Sequence, residues 1–357
     1  MFHHFFAIPA ALIGSLYVAL LMADLAVAVL FTQPPRQTGA LYQQDPERGH
    51  AHTPGFRGEI FTRYPFWVGI NRHGYRGDEW RFHESFRVAV LGDSFVFGEP
   101  LPIAEGFVAK AAARFDDHVG YYNLGVSGYG PAHHEVTLAR ECPVIRPRAV
   151  YYMFYLNDTA WDNIRADATT ILNGHVVHTM DRHGHRLTRE TLLKKLEEAR
   201  SQETLYWADV VRLHHVSELI LSRIRVIGNK GDPAVRFRQT TSPDHSPEDI
   251  ERAARIIQKI DFLARECGAD FTMIILPSRW EARFGVVEPA TERLLALLDK
   301  ANAKLDLLDL RRTASKEHDL GMPKDDHYNP QATTWVAEEM TRHLLVRHPE
   351  LHPFLRP

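Results

Sequence analysis

Apolar residues along this chain fall into two alternating patterns from about residue 86 onward. Short, continuously apolar runs are typical of buried parallel strands, whereas apolar residues spaced three and four apart are typical of helices packed on a sheet. The first pattern predicts strands at 86–91, 121–124, 149–156, 271–276 and 305–310. The second predicts helices at 104–115, from 131, from 247, at 291–303 and at 330–346. This alternation predicts an α/β fold, a three-layer αβα sandwich around a doubly wound parallel sheet.

A different apolar pattern occupies the N-terminus. Residues 5–23 contain no charged side chain, and as a helix rising about 1.5 Å per residue they would cross the hydrocarbon core of a bilayer. The start of the chain lacks the Lys or Arg of a signal peptide, and the run lacks the polar face of a core helix. We therefore predict a transmembrane anchor at 1–33, with Asp24 near a membrane interface. Whether this segment is cleaved stays open.

The rest of the chain divides into two parts. Residues 34–85, which begin with the stiff pair Pro34–Pro35, are predicted to form a linker and an N-terminal extension. Residues 86–357 form the predicted α/β domain, which is interrupted at about 159–245 by a segment too long for a simple connection. The amphipathic stretches of that segment predict an inserted helical cap.

Composition narrows the possible functions. Hydrophobic residues make up 45% of the 357 residues and charged residues 24%, a mixture typical of a globular protein with a sizeable core. The formal net charge of −3 lacks the basic excess of nucleic-acid-binding proteins, so no nucleic-acid partner is predicted. Cys142 and Cys267 allow one disulfide bond or none.

Two other classes of site are disfavoured by the motifs. Gly125, Gly128 and Gly130 do not follow the spacing of a dinucleotide-binding loop, so no cofactor is predicted. The paired histidines lack the spaced Cys, His or carboxylate partners of a zinc site, so no metal is predicted either. These histidines are His133 with His134, His183 with His185, and His214 with His215.

Polar residues instead gather where the predicted strands end. Ser94 follows the first strand in the sequence GDSFVFG, and Gly128 follows the second in NLGVSGYG. Asn157 comes after the third strand, while Asp325 and His327 come after the last. The carboxyl ends of parallel strands meet at one edge of a sheet, which would bring these residues together. Serine is a weak nucleophile at neutral pH, and a histidine oriented by a carboxylate can serve as its base.

These motifs resemble, in order, four blocks of the SGNH (GDSL-type) hydrolases: GDSFVFG, NLGVSGYG, YLND and DDH. The resemblance covers roughly 87–346 and is specific as a set, although each motif alone is weak. It implies a flavodoxin-like sheet, with Ser94 as nucleophile, His327 as base and Asp325 as the carboxylate that orients the base. It also implies an oxyanion hole made by the backbone N–H groups of Ser94 and Gly128 and by the side-chain amide of Asn157.

The chain departs from the common family pattern at two positions. Tyr155 stands where the third block usually has glycine, which would crowd the back wall of the pocket. The common spacing would place the acid at Lys324, whereas the D-x-H form of membrane-anchored bacterial members and polysaccharide acetyltransferases selects Asp325, with Asp326 as the alternative. Residues 71–77 (NRHGYRG) also resemble a stretch of those anchored members, with no predicted role beyond a turn.

Three functions follow from this resemblance. The first is a serine esterase that hydrolyses small acyl esters, such as acetyl groups on a cell-surface glycan or lipid. The second is a polysaccharide O-acetyltransferase that uses the same triad to acylate a sugar hydroxyl. The third is a non-catalytic, membrane-bound assembly subunit. The predicted partners are accordingly an acyl ester, a glycan and the lipid bilayer.

The side of the membrane is left open by the sequence. Arg36 and Arg48 follow the apolar segment, and the positive-inside rule favours the cytoplasm for such residues. A cell-surface substrate instead requires the domain to lie in the periplasm or outside the cell. We take the second location as the prediction, with an N-terminal single-pass anchor.

Overall fold

A computed structural model describes most of the chain. It covers residues 15–26, 40–62, 64–160, 165–166, 168–172, 175–181, 185–201, 245–301, 305–314, 320–323 and 325–356. Residues 15–26 are helical, and the rest of the predicted anchor lies outside these ranges. Within the ranges given, no helix combines the length and the apolar character needed to cross a membrane.

The strands and helices alternate as the sequence pattern predicts. The strands are β1 (Tyr42–Asp45), β2 (Gly49–His52), β3 (Arg57–Phe61), β4 (Pro65–Gly69), β5 (Phe86–Leu91), β6 (Val119–Asn123), β7 (Ala149–Phe154), β8 (Thr169–Leu172), β9 (His175–His178), β10 (Asp270–Ile275) and β11 (Asp306–Asp309). The helices are α1 (residues 15–26), α2 (Ser94–Phe97), α3 (Phe107–Ala113), α4 (Pro131–Ile145), α5 (Arg189–Ser201), α6 (Pro247–Glu266), α7 (Arg279–Phe284), α8 (Pro289–Lys300) and α9 (Pro330–Arg347). The five strands predicted for the central sheet lie within two residues of their expected bounds.

A five-stranded parallel sheet forms the centre of the fold, in the order β11–β10–β7–β5–β6. The chain passes from β5 outward to β6 and then returns to the other side of β5 as β7. This reversal makes the carboxyl ends of β5 and β7 a topological switch point, where open α/β sheets form their sites. The predicted doubly wound α/β class is confirmed.

Helices cover both faces of this sheet. On β7, Val150 and Tyr152 pack toward α4, α6 and α8, whereas Ala149 and Tyr151 pack toward α3 and α9. The alternation follows from the two-residue period of a strand, and burial of both faces explains why the strands are apolar throughout. Ser246 begins α6 as its N-cap, with its hydroxyl accepting a hydrogen bond from the Asp249 N–H.

A disulfide bond joins two segments on one side of the sheet. Cys142 of α4 and Cys267, which follows α6, are paired, and their Cα atoms lie 6.2 Å apart. The separation is typical of disulfide-bonded cysteines. Of the two alternatives that the sequence allowed, the structure has the bridge.

The N-terminal extension packs on the α/β domain as two antiparallel hairpins, β1–β2 and β3–β4. Leu41, Val68 and Ile70 are fully buried there in a small cluster that includes Phe97 of α2. Outside this cluster, the Asp45 carboxylate accepts a hydrogen bond of 2.9 Å from Arg140 of α4. Residues 40–85 therefore form part of the folded body, and they contact the helix that begins at Ser94.

The described start of the inserted segment contains β structure. Strands β8 and β9 form an antiparallel hairpin, and the helix α5 follows it. The hairpin lies beside the extension, where the Thr170 hydroxyl donates to the Gln44 side chain over 2.6 Å. The amphipathic pattern had predicted a helical cap only. Residues 202–244, which hold the rest of that predicted cap, lie outside the described residues.

Candidate active site

Ser94 lies at the switch point of the sheet, three residues after the end of β5. It is the first residue of the single-turn helix α2, whose N-cap is Asp93. The Asp93 carboxylate accepts a hydrogen bond of 2.9 Å from the Phe95 N–H, which fixes the start of the turn. Asp93 is buried, whereas Ser94 is half-exposed. The turn therefore presents the serine hydroxyl at the surface of a rigid support.

Ser94, His327 and Asp325 form a continuous hydrogen-bonded relay. The Asp325 Oδ1 atom lies 2.7 Å from His327 Nδ1, and His327 Nε2 lies 2.8 Å from Ser94 Oγ. A carboxylate only accepts hydrogen bonds, so Nδ1 carries the ring hydrogen. In the neutral imidazole, Nε2 then accepts a hydrogen bond from the serine hydroxyl. This is the arrangement in which a histidine can remove the proton of an attacking serine.

Electrostatics around His327 favour its charged form. Burial by itself disfavours the charge, but the hydrogen bond with Asp325 and the negative field of Glu99 outweigh it and raise the pKa of His327 above its ordinary value. Glu99 is buried and accepts a hydrogen bond of 3.0 Å from the Ser127 hydroxyl. The histidine is thus a stronger base than a free imidazole, which suits proton abstraction from serine.

The loop before α9 selects between the two candidate aspartates. Asp325 also accepts a hydrogen bond of 3.0 Å from the His327 backbone N–H, which closes a tight local ring. Asp326 is exposed to solvent. The loop is anchored from the extension as well, since the Tyr64 hydroxyl donates to the Pro323 carbonyl. Of the two carboxylates, Asp325 meets the imidazole; Lys324, the position of the common spacing, lies outside the described residues.

Two other loops, which carry Gly128 and Asn157, lie next to the helix that begins at Ser94. The Asn157 amide donates a hydrogen bond of 3.1 Å to Asp93. Gly125 crosses the α2 backbone so closely that an added Cβ atom would lie 2.3 Å from the Phe97 nitrogen. That contact brings the loop bearing Gly128 alongside the helix of Ser94. The structure thus brings together the serine helix, the glycine loop and the asparagine.

Two buried carboxyl groups, those of Asp93 and Asp158, lie next to Asn157. Asp158 accepts hydrogen bonds from the Tyr152 hydroxyl over 2.8 Å and from the Tyr155 N–H over 3.2 Å. Burial raises the pKa of Asp93, and burial together with the charge of Asp93 raises the pKa of Asp158 well above its ordinary value. Both shifts favour the protonated, neutral form of these two carboxyl groups.

Aromatic rings line one side of the histidine. The Phe95 ring centroid lies 5.1 Å from that of His327, 4.2 Å from that of Tyr155 and 4.9 Å from that of Tyr328. Tyr155 is buried, and the Tyr328 hydroxyl donates to the Pro277 carbonyl over 2.7 Å. Tyr155, at the position where the resembled hydrolases usually have glycine, therefore packs against Phe95.

Arg76 is a residue whose importance the sequence did not predict. It is buried, and its guanidinium donates to the carbonyls of Phe97 and Gly98 over 2.9 Å each. It also donates to Leu101 over 2.7 Å and to Trp67 over 3.1 Å. The motif at 71–77 thus ties the extension to the loop that follows the serine helix. Its Gly, Asn and Arg content was the signal, but three of the four carbonyl partners of Arg76 lie more than 20 residues away.

Three of the six paired histidines, His133, His134 and His185, lie within the described residues, and these three do not assemble as a metal site. His133 stacks on Tyr129 with ring centroids 4.5 Å apart, His134 is buried nearby, and the exposed His185 lies 3.2 Å from Asp181. His183, His214 and His215 lie outside the described residues. Among the residues that the structure does describe, no three His, Cys, Asp or Glu side chains converge as metal ligands.

Comparison with known proteins returns solved structures only. No protein-family model matches the sequence, and no curated protein matches it. A protein of the G-D-S-L lipolytic family from Desulfitobacterium hafniense DCB-2 is 10% identical, with 72% of this chain and 98% of that chain covered and a TM-score of 0.37. An acetyl xylan esterase is 11% identical, with 72% and 100% covered and a TM-score of 0.41. Est24, a carbohydrate acetylesterase from Sinorhizobium meliloti, is 12% identical, with 73% and 99% covered and a TM-score of 0.37.

Proposed function

We propose that this chain is a serine esterase of the SGNH (GDSL) type. The observation that carries the proposal is the relay from Asp325 through His327 to Ser94, with hydrogen bonds of 2.7 and 2.8 Å. A half-buried aspartate that orients a histidine, which in turn meets a half-exposed serine hydroxyl, has a well-defined use in acyl transfer. The four sequence motifs, which resemble those of the same family, support it independently.

The first half of the reaction transfers the acyl group to the enzyme. The Ser94 oxygen attacks the ester carbonyl carbon while His327 Nε2 takes the hydroxyl proton, and the carbonyl oxygen becomes an oxyanion. The N–H groups of Ser94 and Gly128 and the amide of Asn157 stabilise that charge. The bond to the alcohol then breaks, His327 returns its proton to the leaving oxygen, and an acyl-enzyme remains on Ser94.

The second half releases the acyl group. Water gives a proton to His327 and attacks the acyl carbon, and the collapse of the second tetrahedral intermediate returns the proton to Ser94. A carboxylic acid is the product. If a sugar hydroxyl reaches the acyl-enzyme instead of water, the same residues make an acetylated sugar, and the protein is an acetyltransferase.

We propose a small acyl group, acetyl, carried on a cell-surface glycan or lipid. The aromatic packing of Phe95 and Tyr155 beside His327 supports a small group, because these rings occupy the space next to the base. Polysaccharide-modifying members of the resembled family support the glycan.

We further propose that the N-terminal segment anchors the protein with its domain in the periplasm or outside the cell. The pairing of Cys142 with Cys267 supports an oxidising compartment, since disulfide bonds persist there and are rare in the cytosol. Non-reducing mass spectrometry of protein purified from its native compartment would find the Cys142–Cys267 peptide; finding both thiols free would argue for the cytoplasm.

The test uses the full-length chain and p-nitrophenyl esters of increasing acyl length. Wild type should hydrolyse the acetate faster than longer esters, and Ser94→Ala should lose activity to the background rate. The exposed Ser85→Ala is the matched control and should behave as wild type. Hydrolysis by Ser94→Ala at the wild-type rate would refute the mechanism, and inactivity of wild type on every ester would favour a non-catalytic subunit. Adding an oligosaccharide separates the remaining two functions, because an acetylated sugar exceeding free acetate identifies a transferase.

A further inference from the structure

The loop that carries Gly128 is held by a buried histidine from outside the α/β domain. His50 of β2 is 1% exposed, and its Nε2 atom lies 3.2 Å from the Ser127 carbonyl oxygen. Its Nδ1 atom lies 2.9 Å from the Thr169 hydroxyl at the start of β8. The ring thus connects the N-terminal extension, the inserted hairpin and the glycine loop.

The protonation of His50 can be assigned from its partners. Burial lowers the pKa of His50 to about 4, so the ring is neutral near pH 7 and carries one N–H. A carbonyl oxygen only accepts, so that hydrogen lies on Nε2 and is donated to Ser127. Nδ1 then accepts the hydrogen bond of the Thr169 hydroxyl. Both ring nitrogens are used, and the donor points at one peptide group.

That peptide group is the one whose orientation a β-turn leaves open. The Tyr129 N–H donates to the Val126 carbonyl over 3.1 Å, so residues 126–129 form a turn with Ser127 and Gly128 at its centre. Gly128 has a φ of +81°, which is the value of the third residue in a type II turn. Types I and II differ by a flip of the central peptide, and glycine at this place tolerates both.

The flip decides where the Gly128 N–H points. In a planar trans peptide the C=O of Ser127 and the N–H of Gly128 point in opposite directions. A donor that holds the carbonyl on one side therefore holds the N–H on the other. In the flipped turn His50 would lose its acceptor, and a carbonyl dipole would take the direction now held by the N–H. That exchange would repel the oxyanion instead of stabilising it.

We propose that His50 is a positioning residue that keeps the Ser127–Gly128 peptide in the orientation required for an oxyanion hole. The inference rests on the proposed function for its catalytic consequence, but the orientation of the peptide is independent of it. His50 acts through Gly128 and touches no reacting atom. A second tie, from the Ser127 hydroxyl to Glu99, holds the side chain of the same residue and leaves the peptide to His50.

Two substitutions of His50 show whether the hydrogen-bond donor at Nε2 or the size of the side chain is required. His50→Gln retains an amide N–H near the place of Nε2, whereas His50→Asn places its amide near Nδ1 and cannot reach Ser127. We expect His50→Asn to lower kcat by about 10- to 100-fold, within the range for losing one oxyanion donor, with KM little changed. His50→Gln should keep kcat within about threefold of wild type. The matched control is His52→Asn, since His52 is equally buried in β2 but meets the Gly74 carbonyl at 3.3 Å.

A spectroscopic readout makes the test independent of turnover. In full-length protein labelled with ¹⁵N-glycine, the Gly128 amide resonance is identified by its loss in Gly128→Ala. It should move in His50→Asn and stay near its wild-type position in His50→Gln and His52→Asn. An unmoved Gly128 resonance in His50→Asn, or equal losses of kcat in all three variants, overturns the proposal. If wild type hydrolyses no ester, the proposed function fails, while the resonance still decides the orientation.

If His50→Asn does not fold, Thr169→Val serves in its place, because it removes the hydrogen bond that holds the His50 ring at Nδ1. The Gly128 amide resonance should then move, but by less than it would if the Ser127–Gly128 peptide flipped completely. An unchanged Gly128 resonance would mean that His50 does not set the orientation of the Ser127–Gly128 peptide.

Discussion

The α/β domain and the N-terminal extension contribute different kinds of polar groups to the same site. The domain supplies the side chains of the proposed catalytic groups: Ser94 on α2, Asn157 after β7, and His327 before α9. The extension supplies buried groups that face backbone carbonyls, with Arg76 on Phe97, Gly98 and Leu101 and His50 on Ser127. One region carries the groups that we propose to react, and the other holds the loops on which those groups lie.

The difference has a physical origin. Groups at the carboxyl ends of parallel strands reach the switch point by topology alone, but the loops that follow those strands are irregular and leave carbonyl oxygens without ladder partners. A buried carbonyl without a hydrogen bond is costly, and donors from another segment both satisfy it and fix the loop. The extension therefore stabilises the loops next to the site by hydrogen bonding their carbonyl oxygens. Variants of the domain's residues should reduce the rate directly, whereas variants of the extension's residues should act through the loops that they hold.

The largest effect is expected where this comparison is sharpest, at the aspartate that meets His327. Asp325→Asn should lower kcat by about 10⁴-fold, because an amide can stabilise the wrong tautomer of the imidazole. Asp326→Asn is the matched control, being the adjacent and exposed carboxylate, and should remain near wild type. Both are measured at saturating p-nitrophenyl acetate, with thermal melts to show that the fold is intact. A larger loss at Asp326 would reverse the assignment.

The next effect concerns the oxyanion hole. Asn157→Ala should lower kcat by about 10²- to 10³-fold if its amide stabilises the developing charge. It also removes a hydrogen bond to the buried Asp93, so Asn157→Asp is the informative companion: it keeps the shape and loses the donor. Single-turnover acylation rates would show the loss in the chemical step. Unchanged acylation in both variants would reassign Asn157 to support of Asp93.

The sequence predicts the α/β domain much better than it predicts the N-terminal extension. The strands of the central sheet and the residues of the relay were accessible because hydrophobic runs mark buried strands and the polar motifs follow them directly. The extension was not, because its short hairpins carry mixed patterns such as Tyr42–Asp45, with no period long enough to recognise. His50 and three of the four hydrogen bonds of Arg76 reach carbonyls more than 20 residues away. A carbonyl leaves no trace in a sequence. The hairpin β8–β9 was not predicted either, because each of its strands has only four residues.

Arg76 tests the extension's side of the comparison. Burial lowers the pKa of Arg76 to about 10, so it remains charged near pH 7, and its fork meets four carbonyls. Arg76→Lys keeps the charge but cannot span these acceptors. It should lower the free energy of unfolding by about 3 kcal/mol or more, with a smaller loss of kcat than Asn157→Ala. Urea unfolding measures the first and ester hydrolysis the second.

The control for this change lies in the same segment. Arg72 is exposed and pairs with Glu79 at the surface, so Arg72→Lys should leave both quantities near wild type. An Arg76→Lys protein with wild-type stability but a large loss of kcat would break the comparison, because the extension would then act on the chemistry directly.

The smallest effect is expected at Glu99, which lies where the two regions meet. Burial lowers the pKa of His327, but the hydrogen bond with Asp325 and the negative charge of Glu99 outweigh burial and raise the pKa. The base must be neutral to accept the serine proton, so kcat/KM should rise with pH, with a midpoint above the ordinary histidine value of about 6.5. Glu99→Gln removes the charge and keeps an oxygen that can accept from Ser127. The midpoint should therefore move to lower pH, so that activity increases on the acidic side while the plateau at higher pH is unchanged. A midpoint that moves upward, or a plateau that falls with it, would mean that Glu99 supports the loop rather than the charge on His327.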